Sequence, residues 1–410
     1  MRKNYRAAEL SVLGIAEKAR ARISPSATDD EVEAMCRRLV LEEFKGMCAR
    51  GASGRKQVFA TLPAVERLVF CTLRCELEIL QDLADDKAVT EIMVNGPADI
   101  FVERGHGIER AELSFETPRQ LEQIIQRLAA GVGREMNDLN PIVDARLSDG
   151  SRFNAVAANI AIGGPILTIR KFNKSRMQMD DLVKQGDISK EAAELLKALV
   201  RARYNIFVCG GTSSGKTTFL NVLSDYIPPA ERVIVIEDSA ELQIRGHENL
   251  VRLEAKAPNA QGKGGISIRD LIKTSLRMRP DRIIVGEVRG AEVVDMLAAM
   301  STGHDGSLST GHSNSASGML ARLETMFLSG QDFPLDAVRG QIAQAIDIFV
   351  HLARTEDGHR RVMEISEVRG LDEGRIALAK IYAYVPGKGL QPTGEAIKNR
   401  EKLELWGKPA

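Results

Sequence analysis

Apolar and polar positions change period along this chain, and the changes divide it. Over the first sixty residues the apolar positions recur at helical spacing. "AELSVLGIAEKARARI" is amphipathic, and "SATDDEVEAMCRRLVLEEFKGM" opens on capping residues and acids before turning apolar at the same spacing. "CARGASGRK" interrupts the pattern, and "LPAVERLVFCTLRCELEILQDLADD" predicts a further helix. From about residue 88 the period shortens to two. "AVTEIMVN" and "ADIFVER" predict strands joined by a "GP" turn, "PRQLEQIIQRLAAGVG" a helix, "DARLSDGSRFNAVAA" a hairpin turning at Ser148–Ser151, and "GGPILTIRKF" one more strand. The polar stretch "NKSRMQMDDLVKQGDIS" reads as a linker. Beyond it, the helical "EAAELLKALVRAR" leads into the strand "NIFVCG". The strands "RVIVIED", "DRIIVGE" and "GSLST" follow, separated by helical segments such as "IRDLIKTSLRMR" and "GAEVVDMLAAMSTG". Strands alternating with helices predict a doubly wound parallel sheet, whose ligands bind at the carboxyl ends of its strands. The expected division is a helical bundle over 1–62, a small α+β domain over 63–172, a linker over 173–189, an α/β domain over 190–390 and a tail over 391–410.

Length and composition narrow the function. With 410 residues the chain has room for two to three domains. Its 56 Lys and Arg balance 56 Asp and Glu, which argues against nucleic acid as a stable partner. No apolar run reaches the ~18 residues of a membrane span, and the N-terminus "MRKNYRAAELSVLGIAEKAR" places charges inside its apolar part, unlike a signal peptide. Cys36, Cys48, Cys71, Cys75 and Cys209 lack zinc spacing. Cys71 and Cys75 fall on one helix face, and all five read as reduced thiols of a cytosolic protein.

The chemistry starts at "GGTSSGKT". Gly210, Gly211, Thr212, Ser213, Ser214, Gly215, Lys216 and Thr217 fit G-x-x-x-x-G-K-[ST] between a strand and the helix "TTFLNVLSDYI", which opens on Thr217 and Thr218. The glycines let the backbone curl until its N–H groups face phosphate oxygens. Lys216 reaches the outer phosphates, Thr217 ligates Mg²⁺, and the helix N-terminus favours negative charge. The D-x-x-G and N-K-x-D of a GTPase are absent. Two later strands end in acids. "VIVIEDSAELQI" ends in Glu237 and Asp238, and "DRIIVGEVRG" holds Gly286 where many P-loop proteins have Asp, then Glu287. One acid after a strand is ordinarily a helix cap; two, both downstream of a P-loop, point to catalysis. If both strands flank the P-loop strand, Glu287 polarises the attacking water and Glu237 or Asp238 supplies the metal-side charge that Gly286 cannot. In "STGHDGSLSTGHSNSASGMLARLETM", His304 and His312 bracket a short strand in a Gly/Ser setting that suits γ-phosphate sensing by a neutral imidazole.

The set "GGTSSGKTTFLNVL", "VIVIEDSAELQI", "RPDRIIVGEVRGAE" and "GHDGSLSTGHSN" resembles the Walker A, Asp box, atypical Walker B and His box of the type II/type IV secretion ATPase superfamily. "DARLSDGSRFNAV", "GPILTIRKF" and "GHSNSASGMLARLETM" look like its CpaF/TadA branch, which drives tight-adherence (Flp) pili; the likeness covers roughly residues 75–385. The resemblance implies an α/β fold: a RecA-like P-loop motor domain on a mostly parallel sheet, preceded by a small α+β (PAS-like) domain and an N-terminal helical segment. It implies a cytoplasmic homohexamer at the inner face of the inner membrane. Such a motor uses ATP and Mg²⁺ to drive platform proteins for pilus assembly, with retraction also open, and meets the membrane only through partners. It assigns Glu287 as the catalytic acid, Glu237 to the Asp box beside the metal, and His312 to the His box. Arg152 in "DGSR" and Arg170 in "TIRK" match arginines that reach the nucleotide from the smaller domain. One departure is "STGH" where many relatives have "TTLH", which puts Gly311 beside His312. The competing function is a RecA-like DNA-handling motor, which should show the basic excess this chain lacks.

Overall fold

In the computed structural model the first described elements are the helices Val12–Arg20, Asp29–Ala49 and Leu62–Arg74. The structure describes residues 10–49, 62–105, 107–172, 177–256, 258 and 263–406. Ser11 caps the first helix by accepting the Gly14 amide. The helices meet over Ile15, Ala19, Leu39, Val40 and Val69. The third helix also faces the neighbouring core, to which it gives Leu68. It therefore belongs with the two helices before it as much as with the α+β elements after it. The expected run of helix to residue 86 breaks into a 3₁₀ turn, Glu78–Leu80, and a short helix, Gln81–Asp85. The cause is tertiary. The buried Glu78 carboxylate is held by Arg127 at 2.7 Å and Gln120 at 3.2 Å, with Glu78 at φ 47°.

Six short strands follow: β1 (Val89–Asn95), β2 (Ile100–Arg104), β3 (Gly107–Arg110), β4 (Ile142–Arg146), β5 (Arg152–Val156) and β6 (Ile166–Arg170). They form one sheet in the order β3-β2-β1-β6-β5-β4, antiparallel throughout. Alternate residues such as Ile92, Val94, Val102 and Phe153 face a core shared with the helix Pro118–Gly131. Both expected turns form, with Gly96 at φ 90° and Gly150 at φ 94°. These elements and the N-terminal helices make one compact unit, Met1–Lys174.

The second unit is Ser175–Ala410. Of the expected linker, residues 173–176 lie outside the described residues. From Met177 the chain is already part of this unit's fold. The helix Met179–Gln185 buries Met179 and Leu182 in the same core as the helix Lys190–Arg201. The sheet has nine strands: β7 (Ile206–Gly210), β8 (Val233–Glu237), β9 (Leu250–Glu254), β10 (Arg282–Val285), β11 (Leu308–His312), β12 (Ile348–Arg354), β13 (Arg360–Asp372), β14 (Arg375–Val385) and β15 (Gly389–Pro392). Their order is β15-β14-β13-β12-β7-β11-β10-β8-β9. The run from β12 to β9 is parallel, and β13, β14 and β15 add an antiparallel edge. β7, β8 and β10 are buried along their whole length, as strands of a sheet covered on both faces must be. The segment expected as a tail is tied in as well: the Tyr204 hydroxyl donates to the Asn399 carbonyl, and Lys402 pairs with Asp305 at 2.7 Å and Asp347 at 2.8 Å. Among the described residues no helix is long and apolar enough to cross a membrane.

The strand order corrects one expectation. β8 and β10 do not flank the P-loop strand. The neighbours of β7 are β11 and β12; Glu287 follows a strand two places away and Glu237 ends one three places away. Crossover connections, not adjacency in sequence, decide which strands pair.

Candidate nucleotide site

At the carboxyl end of β7 the chain turns through residues 211–215 and enters the helix Lys216–Ser224. The turn needs unusual backbone. Ser213 sits at φ 57°, and Gly215, the N-cap, at φ 91°. A Cβ on Gly210 would lie 2.5 Å from both the Leu352 carbonyl oxygen and Ser214 Oγ, so only glycine fits there. Ser214 Oγ donates to the Gly211 carbonyl at 2.9 Å and closes the loop on itself. The loop thus leads straight into a helix N-terminus, whose first amides have no partner within the helix and can receive phosphate. Thr217 lies half-buried in the first helical turn, and Thr218 is exposed.

Lys216 is buried at 8% exposure, and its ammonium spans the loop. Nζ donates to the carbonyls of Gly211 at 2.8 Å and Gly210 at 3.1 Å, and stands 3.3 Å from His312 Nδ1. His312 ends β11, the immediate neighbour of β7, and its register partner on β7 is Gly210. Its other nitrogen, Nε2, lies 2.9 Å from Glu287 Oε1. Since an ammonium can only donate, Nδ1 is the accepting nitrogen and the ring proton sits on Nε2, which lies within 2.9 Å of Glu287 Oε1 but out of line for a hydrogen bond, leaving that buried oxygen without a hydrogen-bond donor among the described residues. Burial, then the Lys216 charge, lower the His312 pKa below its ordinary 6.5, against the opposing pull of Glu287. A neutral imidazole therefore joins the P-loop lysine to the acid beyond β10.

Glu287 is mostly buried, and its Oε2 accepts from Arg289 at 3.0 Å. Arg289 also reaches Asp238 at 3.6 Å, tying the acid after β10 to the end of β8. Glu237 is buried, and burial raises its carboxyl pKa. Its Oε1 accepts the amides of Glu241 at 2.8 Å and Leu242 at 2.7 Å, and its Oε2 is 3.6 Å from Arg252. The carboxylate thus organises the loop after β8. Gly286 stands directly beside it, where a Cβ would meet Glu237 Cγ at 3.1 Å. Glycine at that position leaves room for the acid on the next strand. Thr310 Oγ1 donates to the Gly286 carbonyl at 2.7 Å and fixes the turn that carries Glu287.

His304 does not join this group. It precedes β11, at the opposite end of the sheet, with Nδ1 3.2 Å from the Ala299 carbonyl at the end of the helix Glu292–Met300. Gly- and Ser-rich sequence on both sides of a short strand does not reveal which end faces the ligand. Arg152 and Arg170 belong to the first unit, facing each other across β5 and β6. Arg152 grips Asp144 with two bonds, at 2.9 and 2.7 Å, while Arg170 is exposed at the end of its strand. Arg289 and Arg252 were missed from sequence, although Arg289 lies two residues after Glu287 in the same motif. Arg252 lies on β9, a strand the apolar pattern did not announce.

Residues 75–381 match the family described as type II/IV secretion system protein. A Mycobacterium tuberculosis protein whose name provisionally assigns it to conjugal transfer is 38% identical over 311 residues, covering 74% of this chain and 87% of its own length. The conjugal transfer protein TrbB of Rhizobium radiobacter is 35% identical over 291 residues, 70% of this chain and 85% of TrbB. Among solved structures, the pilus retraction motor PilT with bound ADP superposes with a TM-score of 0.52 over 80% of this chain and 86% of its own, a likeness of fold at 21% identity.

Proposed function

Since the chain belongs to the type II/IV secretion system protein family and is an ATP hydrolase, we propose that it is the motor that powers assembly of a tight-adherence (Flp) pilus. In this reading it works as a homohexamer on the cytoplasmic side of the inner membrane, against a platform of membrane proteins. The observation that supports the motor chemistry is the chain Lys216–His312–Glu287, at 3.3 and 2.9 Å. The pilus assignment is supported by the stretches that resemble the CpaF/TadA branch, and by nothing in the site itself.

The residues fit Mg²⁺-ATP. The Gly210–Thr217 loop offers amides, the Lys216 ammonium and the Thr217 hydroxyl. Glu237 already accepts two amides, which suits a charge acting through metal-bound waters. Mg²⁺ held by Thr217 and phosphate oxygens would neutralise charge on the phosphates. Lys216 exchanges its loop carbonyls for the outer phosphates. Glu287 orients a water in line with the γ-phosphate and accepts its proton as oxygen attacks phosphorus and the bond to the β-phosphate oxygen breaks. His312, with Nδ1 accepting from Lys216 and Nε2 2.9 Å from Glu287 Oε1, couples a change at the phosphate to the acid. Arg152 and Arg170 add cationic contacts to the nucleotide, Arg152 by exchanging Asp144 for phosphate.

A second reading, a motor for conjugation or another type IV secretion apparatus, is favoured by the names of the relatives at 35 and 38% identity. The test is replacement of the gene by a Glu287→Gln allele in its own host. Loss of surface pili with conjugation and protein secretion unchanged is expected. Normal piliation with failed conjugation or secretion would overturn the pilus assignment in favour of the second reading.

A further inference from the structure

The hairpin of β12 and β13 touches the P-loop twice. Leu352, on β12, turns its carbonyl toward Gly210, and Arg360, the first residue of β13, lies over the loop at Ser213 and Gly215. Arg360 Nε donates to the Ser213 carbonyl at 3.0 Å. Its stem covers Gly215, where a Cβ would lie 3.2 Å from Arg360 Cδ. Ser213 and Gly215 are the two loop residues in left-handed backbone, so the contact falls on the part of the loop least able to hold its shape alone.

The tip that carries Arg360 is itself braced. Asp357 accepts from Thr355 at 2.6 Å and from Arg361 at 2.8 and 2.6 Å, and the Thr355 amide donates to the His359 carbonyl at 2.8 Å. At the base, the Val362 amide donates to the Asp187 carbonyl at 2.9 Å. A braced tip delivers the guanidinium without the entropy loss a mobile arm would suffer.

We infer that Arg360 is a positioning residue for nucleotide binding, holding the Ser213 peptide so that the loop amides face the phosphates. It acts through the loop and supplies no group to the reaction. The inference rests on the ATPase reading and deepens it. A charge-assisted hydrogen bond at an exposed site is worth about a tenfold change in affinity.

The experiment uses the full-length protein with Arg360→Ala, Arg360→Lys and Asp357→Ala, reading the Kd of a fluorescent ADP, the ATPase KM and kcat, and the melting midpoint. Measurable ADP binding by the parent protein checks the underlying reading separately. Arg360→Ala should raise Kd and KM about tenfold with kcat within about twofold. Arg360→Lys should recover most of the loss, because an ammonium can still reach the Ser213 carbonyl. Asp357→Ala, which touches neither loop nor nucleotide, should shift the same constants in the same direction by a smaller factor. Unchanged Kd in a folded Arg360→Ala protein overturns the inference. So does a fall in kcat at constant KM, which would place Arg360 in turnover.

Discussion

Replacing Gly286 by Ala tests whether glycine ends β10 to make room for Glu237. The added Cβ would sit 3.1 Å from Glu237 Cγ and 3.7 Å from its Cβ. Ordinary carbon contacts begin at about 3.4–3.5 Å, so the contact must open by a few tenths of an ångström. Glu237 cannot yield that much freely. Its Oε1 holds the Glu241 and Leu242 amides at 2.8 and 2.7 Å, and hydrogen bonds beyond about 3.2 Å weaken. The Gly286 side cannot yield either, since its amide donates to the Ile236 carbonyl at 2.8 Å and its carbonyl accepts from Thr310 at 2.7 Å. Overpacking of this kind, with the strained amide contacts included, costs about 2–3 kcal/mol. For a unit of this size the melting midpoint should fall by roughly 4–12 °C. Turnover should fall too, because Glu287 is the next residue. The assay is calorimetry with ATPase kinetics on four proteins: the parent, Gly286→Ala, Glu237→Ala and the double variant. Glu237→Ala removes the clashing Cγ, so Gly286→Ala should cost far less in its presence. A midpoint unchanged by Gly286→Ala, or an equal cost in both backgrounds, would refute the reasoning.

Other outcomes follow from the same geometry. Lys216→Ala should raise the nucleotide Kd by about a hundredfold or more, whereas Glu287→Gln should bind ATP like the parent and lose about 10²–10⁴-fold in kcat, measured by fluorescence titration and phosphate release. His312 is neutral because its pKa lies below 6.5, so acid adds a second cation beside Lys216. ATPase activity and the residue's share of folding stability should both be whole above pH 6.5 and decline as pH falls below it, and His312→Gln should flatten that limb of the pH–rate profile. Arg152→Ala and Arg170→Ala should each lower turnover by up to about 10³-fold and blunt the change in distance between labels on the two units on going from an ATP analogue to ADP; normal rates with normal switching would leave both as surface residues.

How much of this was legible in the sequence depends on range. The P-loop was readable because strand, loop and helix are contiguous, and each residue type answers a local demand. The alternation of "AVTEIMVN" and "ADIFVER" gave β1 and β2 for the same reason, since a two-sided sheet writes its faces into neighbouring residues. Strand order was not readable. Nothing in "RVIVIED" or "DRIIVGE" records that β11, later in the chain than both, would pair with β7 ahead of them. The antiparallel edge of β13–β15 left a weak signal, because β13 buries a continuous stretch from Glu364 to Val368 that does not alternate. The break after Arg74 was hidden as well, since it depends on Arg127 and Gln120 reaching Glu78 from a distant helix. Arg360 carries no local mark, and only tertiary structure lays it on the P-loop.

Strand order also explains how His312 keeps its position although Gly311 replaces the larger residue of many similar sequences. The volume beside Gly311 is filled from elsewhere: a Cβ there would meet Met319 Cε at 2.9 Å, Met319 Sδ at 3.0 Å and Phe207 Cε1 at 3.1 Å. Phe207 comes from β7 itself, and Met319 from the helix Ala316–Gly330 that follows β11. The space a side chain at 311 would need is thus closed by two neighbouring side chains. The backbone of His312 is set by parallel pairing with Gly210, and neither ring contact involves residue 311. A strand inserted between β7 and β10 places one side chain, His312, within reach of both the P-loop lysine and the acid after β10. The correction to the expected strand order is therefore what gives His312 a physical reason to link them.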